Sequence, residues 1–175
     1  MQTAATIRRV DDIFRGQLID LPELPGVYAF WWIAPKAELL AGNRHIVLKG
    51  PGELPVDVEY KGWWPDDLIH PCLYIGKTTN IKNRFPQHIK RGCHGRLHDA
   101  LPGNVKAKPR TTTCQLRFGI EHIFPSEQDS LSLIFRAVGF SCRTDFPENA
   151  IAERFFEEDR LVGAWRPWFN IDSER

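Results

Sequence analysis

The sequence predicts a mixed α/β fold of the α+β type, in which helices flank a small sheet of three strands. The strands are expected at residues 26–33, 72–76 and 111–124, where apolar and β-favouring residues dominate. Apolar residues at helical spacing predict helices over 6–20 and 147–165. With 175 residues, 42% of them hydrophobic and 26% charged, the whole chain is expected to form a single globular domain.

The first part of the chain leads from a helix into a buried strand. Residues 1–24 are expected to hold an amphipathic helix followed by a proline-punctuated turn, and GVYAFWWI (26–33) is the first strand. The segment 35–70 comes before the second strand. Within it, HIVLK (45–49) and VDVEY (56–60) alternate between apolar and polar residues, which predicts a short accessory hairpin.

The segment after the second strand contains a proline that is expected to interrupt a helix. Thr78 or Thr79 would cap a short helical turn that runs through Arg84. Pro86 has no amide hydrogen and its ring clashes with the preceding turn, so it is expected to open a new helix instead. A further helix is predicted within residues 126–140.

The positive charge of the chain is concentrated in one segment. The net charge is only +1, but residues 77–110 carry nine Lys/Arg and one acidic residue, Asp99, so the rest of the chain sums to −7. A basic lobe on an otherwise acidic protein is typical of a polyanion-binding surface, and the alternative is a solvated charged face. Residues 100–110 are expected to be a flexible basic loop.

Five sequence features follow one another in a recognisable order. Gly-Val-Tyr (26–28) starts one predicted strand and Tyr-Ile-Gly (74–76) ends another. Arg84 follows the second tripeptide by eight residues, and Glu158 precedes Asn170 by twelve. This arrangement resembles the GIY-YIG nuclease family, in particular its compact, restriction-endonuclease-like members. The resemblance implies an antiparallel three-stranded sheet, with residues 35–70 as an insertion between the two motif strands.

The resemblance also implies a chemistry, the hydrolysis of phosphodiester bonds with Mg²⁺ or Mn²⁺ to leave 5′-phosphate and 3′-hydroxyl ends. Glu158 would hold the metal ion, and the Arg84 guanidinium would bind phosphate oxygens. Tyr28 would be the general base, but an ordinary tyrosine has a pKa of about 10, and Lys77 and His88 stay open as alternatives. The expected catalytic residues are Tyr28, Tyr74, Lys77, Arg84, His88, Glu158 and Asn170. The residues expected to bind nucleic acid are Lys82, Arg84, Lys90, Arg91, Arg96, Lys106, Lys108 and Arg110.

Several of these residues have a simpler interpretation. Tyr28 and Tyr74 could be core aromatics, and Asn170 is expected to hold the C-terminal tail by hydrogen bonds to backbone near the site. His88 follows Arg84 by four residues, so on a continuous helix it would lie beside Arg84. Its role is either proton transfer or phosphate binding, or it is a plain surface histidine.

Glu158 is expected to lie at the border of an apolar helix face. It shares that face with Ile151, Phe155 and Val162, so a positive partner is expected, either a metal ion or a cation of a structural ion pair. On the same helix, Glu153 and Glu157 are expected to face solvent, and Asp159 is an accessory ligand candidate on the apolar side.

A second cluster of metal-binding residue types invites a different interpretation. His88, Cys93, His94 and His98 lie close in sequence, but their spacing fits none of the usual zinc-binding pairs. Cys93 and His94 are adjacent in the chain, and the side chains of adjacent residues rarely face each other, so a nucleophilic dyad is also disfavoured.

Together these observations predict a DNA endonuclease, with double-stranded DNA as the substrate and cleavage at specific sites. The alternatives are a structure-selective repair or recombination nuclease and a catalytically inactive nucleic-acid-binding module. A restriction-type enzyme could act as a homodimer. A cytoplasmic protein is expected, because the N-terminus is charged and no apolar run reaches the about 20 residues of a membrane span.

Overall fold

A computed structural model of the chain describes residues 7–49, 52, 54–89, 115–127 and 129–171. The elements, in chain order, are β1 (Arg8–Arg9), α1 (Val10–Arg15), β2 (Gly26–Trp32), α2 (Lys36–Leu40), β3 (His45–Lys49), β4 (Pro55–Glu59), β5 (Cys72–Thr78), α3 (Ile81–Ile89), α4 (Gln115–Ile123), α5 (Ser130–Ala137), β6 (Val138–Arg143), α6 (Ile151–Trp165) and a 3₁₀ turn (Trp168–Asn170).

The main sheet is antiparallel throughout, in the order β1-β6-β2-β5, and β3 and β4 form a separate hairpin. This confirms the predicted α+β class. The sheet has four strands rather than three, because the two residues of β1 extend it beyond β6. The central strand β2 is buried along its whole length, since helices cover both of its faces.

The two faces of the sheet have different partners. On one face, Phe85 of α3 packs against Phe30 and Phe140, with ring centroids 6.0 and 4.8 Å apart. On the other face, Trp165 of α6 lies against Trp31, with centroids 4.9 Å apart. β5 is an edge strand, so side chains from both faces can meet around it.

The third strand was predicted at the wrong place. Residues 115–123 form the helix α4, and the strand that completes the sheet is β6. Leu116, Ile120 and Ile123 are buried at helical spacing, and because Leu116 and Ile120 are four residues apart they fit a strand pattern equally well. Residues 111–114 lie outside the described part of the chain.

The helix α3 also differs from the prediction, because Pro86 lies inside it. The helix is capped by Asn80, whose side-chain oxygen accepts a hydrogen bond from the amide of Asn83 at 2.9 Å. A proline in a helix interior costs about 3 kcal/mol. We attribute its tolerance here to the burial of Phe85 and Ile89, which lie on the side of α3 that packs into the core.

The first helix is shorter than predicted. α1 ends at Arg15 because Gln17 and Leu18 adopt left-handed backbone conformations, with φ of 52° and 60°. Of the described helices, none has the length and apolar character that a membrane crossing requires.

The insertion 35–70 carries the predicted hairpin and also the helix α2, which was not predicted. The insertion is anchored to the core by tryptophans. The Trp64 indole donates to the Cys72 carbonyl at 2.8 Å, and the Trp168 indole donates to the Lys61 carbonyl at 2.7 Å. These bonds attach the insertion to the start of β5 and to the C-terminal turn.

Candidate active site

Two tyrosines from neighbouring strands lie side by side on one face of the sheet. Tyr28 on β2 pairs with Gly76 on β5, and Tyr74 pairs with Phe30, which places the tyrosine ring centroids 6.1 Å apart. A Cβ atom on Gly76 would lie 2.5 Å from the Tyr28 hydroxyl oxygen and 2.9 Å from Cε1 of Tyr74. The glycine of the second tripeptide therefore leaves the space that both rings occupy.

The helix α3 brings two further predicted site residues onto the Tyr28 hydroxyl. Arg84 Nε donates to the Tyr28 oxygen at 3.2 Å, and His88 Nε2 lies 2.7 Å from the same oxygen. Arg84 Nη1 also donates to Gln87 Oε1 at 2.8 Å. His88 is fully buried, so the surface-histidine alternative does not describe it.

Burial governs the protonation of this cluster. It raises the pKa of Tyr28 well above 10.0, and the neighbouring Tyr74 raises it further, whereas the Arg84 charge and hydrogen bond lower it. Burial lowers the pKa of His88 well below 6.5, and the Arg84 charge lowers it further. His88 is therefore neutral near pH 7. Its Nδ1 atom has no hydrogen-bond partner among the described residues.

Tyr74 is close enough to both charged parts of the site for each to act on its hydroxyl. Burial raises its pKa, the Arg84 charge lowers it, and the Glu158 charge raises it. Glu158 belongs to α6 on the opposite face of the sheet, so the site extends around the edge strand β5.

On that second face, Lys77 forms an ion pair with Glu158. Lys77 follows Gly76 on β5, so its side chain leaves the opposite face from that of the tyrosines. Glu158 is only 4% exposed. The Lys77 Nζ atom also lies 3.6 Å from the centroid of the Phe155 ring, so its ammonium contacts both a carboxylate and an aromatic ring.

The predicted apolar face around Glu158 is wrong. Ile151 and Phe155 are 60% and 49% exposed, whereas the buried residues of α6 are Arg154, Glu158 and Leu161. Glu158 is buried because it shares the face of Arg154 and Leu161, which are four residues before it and three after it. An apolar pattern alone could not orient this helix, since the inward face also contains an arginine and a glutamate.

The other acidic residues of α6 lie away from the site centre. Glu157 forms ion pairs with Arg143 and Arg160 at 3.2 and 2.7 Å. Glu153 and Asp159 are exposed, so Asp159 does not lie on a buried side as predicted.

Asn170 holds the outer edge of β5. Its side-chain oxygen accepts a hydrogen bond from the Ile75 amide at 2.7 Å, and its side-chain nitrogen donates to the Ile75 carbonyl at 2.8 Å. Ile75 lies between Tyr74 and Gly76 in the motif. The Asn170 side chain thus makes the two backbone hydrogen bonds that a neighbouring strand would make at this position. This is a hydrogen-bonding role of the kind expected for Asn170.

A polar cleft of about 380 Å³ opens beside these groups, between the end of β5 and α3. It is lined by Lys77, Thr78, Thr79, Asn80, Asn83, Arg84 and Gln87. Asn83 and Gln87 were not predicted. Gln87 lies three residues after Arg84 and four after Asn83, so a prediction of α3 as one continuous helix would have placed it beside both.

Of the other cations that were predicted to bind phosphate, only Lys82 lies within the described residues. Lys82 forms an ion pair with Glu23 at 2.7 Å. Lys90, Arg91, Arg96, Lys106, Lys108 and Arg110 lie outside the described residues, as do Cys93, His94 and His98.

Glu158 fits a metal ion that keeps most of its own ligands. The described part of the chain holds no group of three or more His, Cys, Asp or Glu side chains suited to a metal. A single buried carboxylate is enough for Mg²⁺, which retains several waters and takes the remaining oxygens from phosphate. The ammonium of Lys77 is the described ion-pair partner of that carboxylate.

No family model and no curated protein matches this chain. Among solved structures, it is similar to the GIY-YIG N-terminal endonuclease domain of UvrC from Thermotoga maritima. Two point mutants of that domain bound to the catalytic divalent cation match with 16% identity and a TM-score of 0.38, over 90% of this chain and 94% of theirs. The magnesium-bound domain matches with the same identity and coverage and a TM-score of 0.36.

Proposed function

We propose that this protein is a divalent-metal-dependent endonuclease of the GIY-YIG type that hydrolyses DNA phosphodiester bonds, within a single domain formed by the whole chain. The observation that carries the proposal is the convergence of Arg84 and His88 on the Tyr28 hydroxyl, at 3.2 and 2.7 Å. These groups lie beside a polar cleft that Arg84 and Lys77 line. A guanidinium and an ammonium at one cleft suit the negative charge of a phosphodiester.

In this proposal, Arg84 has two tasks. Its guanidinium binds a phosphate oxygen in the cleft, and its Nε–H holds the Tyr28 oxygen. Gln87 accepts from Nη1 at 2.8 Å and so fixes the plane of the guanidinium. Since phosphate recognition by arginine depends on a fixed planar fork, lysine should not replace Arg84.

His88 acts in this proposal as a neutral hydrogen-bond donor to Tyr28 rather than as a proton acceptor. Its lowered pKa opposes proton uptake beside Arg84. We therefore assign the hydrogen to Nε2, so that it points at the Tyr28 oxygen 2.7 Å away and no N–H is buried without a partner. Two donors on one phenolic oxygen stabilise its anion and oppose the rise in pKa that burial causes. Tyr28 is thus the proposed general base.

Glu158 is the residue that would hold the metal ion. A bound Mg²⁺ or Mn²⁺ would act as a Lewis acid toward the phosphate and the leaving oxygen. Tyr74, whose pKa responds to both Arg84 and Glu158, is close to both the metal-binding and base-bearing parts of the site and would orient the attacked phosphate between them. Cleavage would leave 5′-phosphate and 3′-hydroxyl ends.

We further propose that cleavage occurs at defined sequences in double-stranded DNA, as in restriction endonucleases. The insertion 35–70 supports this, because Trp64 attaches it to the start of β5, the strand that ends at the cleft, and Trp168 attaches it to the C-terminal turn. The insertion carries four Lys/Arg against six Asp/Glu, so its contribution would be base contacts rather than backbone charge. Cutting of both strands would require a homodimer on the DNA or two successive nicks.

The deciding experiment is incubation of supercoiled plasmid with the protein in Mg²⁺, in Mn²⁺ and in excess EDTA. Discrete linear fragments with ligatable 5′-phosphate ends would support site-specific cleavage, and preferential cutting of branched or damaged duplex would indicate a structure-selective nuclease instead. Tyr28→Phe and Arg84→Lys should each abolish cutting while the protein stays folded. Undiminished cutting in EDTA would contradict the metal-dependent mechanism, and DNA binding without any cutting would indicate an inactive binding module.

A further inference from the structure

The ammonium of Lys77 is held from two sides. It forms an ion pair with the Glu158 carboxylate, and its Nζ lies 3.6 Å from the centroid of the Phe155 ring. The Lys77 side chain retains 25% of its exposure, whereas that of Glu158 retains only 5%. Lys77 therefore lies between the buried Glu158 carboxylate and the solvent-exposed side of the site.

An ammonium and a metal ion compete for one carboxylate. Lys77 contacts the Oε2 atom of Glu158, and a divalent cation bound at that oxygen would repel an ammonium left within hydrogen-bonding distance. The described residues hold no group of three or more His, Cys, Asp or Glu side chains that could take up both cations. Because this site is buried, water screens the repulsion poorly. Metal binding at Glu158 therefore requires Lys77 to leave.

The cleft offers Lys77 another place. Lys77 lines the same cleft as Arg84, and a phosphate bound by Arg84 would give the ammonium a second anion to pair with. Lysine has a flexible four-carbon stem and a compact charge, so it can exchange partners without movement of the backbone. The Phe155 ring attracts the ammonium but provides no negative charge that would retain it once the phosphate is present.

We propose that Lys77 is an internal counter-ion that keeps Glu158 from binding a divalent cation until a nucleic-acid phosphate enters the cleft. Metal binding then depends on the substrate, and DNA precedes the metal ion in the order of binding. This inference rests on the proposed function, because it requires Glu158 to be the metal-holding residue. Lys77 is in this respect a positioning residue, and its later contact with phosphate is a separate role.

The test is a titration with Mn²⁺ in the absence of DNA, in which electron paramagnetic resonance measures the free Mn²⁺. The Kd of Lys77→Met should be at least tenfold lower than that of wild type, and Phe155→Leu should shift the Kd less in the same direction. Arg160→Met is the matched control, since Arg160 pairs with Glu157 on the same helix instead, and its Kd should equal that of wild type. The double variant Lys77→Met with Glu158→Gln should lose the tight site.

A second titration adds a duplex oligonucleotide with uncleavable phosphorothioate linkages. Wild type should then bind Mn²⁺ at least tenfold more tightly than it does alone, and Lys77→Met should gain much less. Equal Kd values for folded wild type and Lys77→Met without DNA would overturn the proposal, and so would a wild-type Kd that the duplex leaves unchanged. Circular dichroism checks the fold, and Lys77→Gln provides the same comparison where the methionine variant fails to fold.

The two proposals fail in distinguishable ways. If wild type cuts plasmid but Lys77→Met binds Mn²⁺ no more tightly, the counter-ion role is wrong and the nuclease function stands. If Lys77→Met gains affinity through Glu158 and the duplex tightens wild-type binding while wild type cuts no DNA, the counter-ion role stands and the nuclease function is wrong.

Discussion

Replacement of Gly76 by alanine should inactivate the site without removing any of its functional groups. The new Cβ would lie 2.5 Å from the Tyr28 hydroxyl oxygen, 2.7 Å from Tyr28 Cζ and 2.9 Å from Tyr74 Cε1. Ordinary contacts begin at 3.4 Å, so the Tyr28 ring would have to retreat by about 1 Å in a core packed at crystal-like density. Tyr28 is buried between β2 and α3, so the retreat would strain its neighbours.

The magnitude follows from the packing and from the hydrogen bond at stake. Overpacking by one methyl group costs about 1–3 kcal/mol of unfolding free energy. A displacement of about 1 Å would also break the 2.7 Å contact between Tyr28 and His88. Misplacement of a reacting group by this amount typically reduces a rate about 10²-fold. We therefore expect Gly76→Ala to unfold at lower urea concentration and to cut DNA about a hundredfold more slowly.

The control is Gly139→Ala on β6, which introduces an equally close contact away from the site. Its Cβ would lie 2.5 Å from Ile7 Cγ2 and 2.9 Å from Ile33 Cγ2. Both variants should lose stability in urea, but only Gly76→Ala should lose specific cleavage activity, assayed on plasmid under conditions where each is folded. Cleavage by folded Gly76→Ala within threefold of wild type would refute the assignment of the tyrosine pair.

Three further outcomes test other parts of the site. Glu158→Gln should reduce plasmid cleavage by at least about 10³-fold while DNA binding persists, whereas Glu157→Gln should cut normally; the reverse result would place the metal on the other side of α6. Asn170→Ala should lower the unfolding free energy in urea by about 2–3 kcal/mol, because it leaves the buried Ile75 amide and carbonyl unpaired, and Asn170→Asp should lose stability as well, because its carboxylate sets an oxygen against the Ile75 carbonyl in place of the amide donor. His88 stays neutral in the folded protein but takes up a proton below pH about 6.5 when unfolded, so protonation favours the unfolded state and stability falls as the pH drops below that value, by up to about 1.4 kcal/mol per pH unit. Urea unfolding of His88→Leu should lack that dependence, and identical slopes for the two proteins would show that the histidine is not buried neutral.

The local sequence pattern was sufficient to predict those strands and helices that the rest of the protein only has to cover. The strand at 26–33, the strand at 72–76 and the hairpin strands at 45–49 and 56–60 were each found within about two residues. Runs of β-branched and aromatic residues favour the strand conformation when they are buried in a sheet. Most of the helix within 147–165 was also correct, since its length leaves no alternative.

Elsewhere the local pattern allowed two answers, and tertiary contacts chose between them. Leu116 and Ile120 suit a strand or a helix, and the sheet position was taken by β6 instead. Pro86 should have divided α3, but the burial of Phe85 and Ile89 on the core side of that helix favours one continuous helix. The prediction failed there because packing energy outweighs a local propensity.

The sequence by itself determined which residue types form the candidate site, because the order and spacing of Tyr28, Tyr74, Arg84 and Glu158 along the chain form the motif. Only the tertiary structure decided their environment. It buried His88 against the Tyr28 hydroxyl, and it brought residues from both faces of the sheet together around the edge strand β5. Protonation depends on burial and on charges brought from distant parts of the chain, and the spacing of letters in a sequence contains neither.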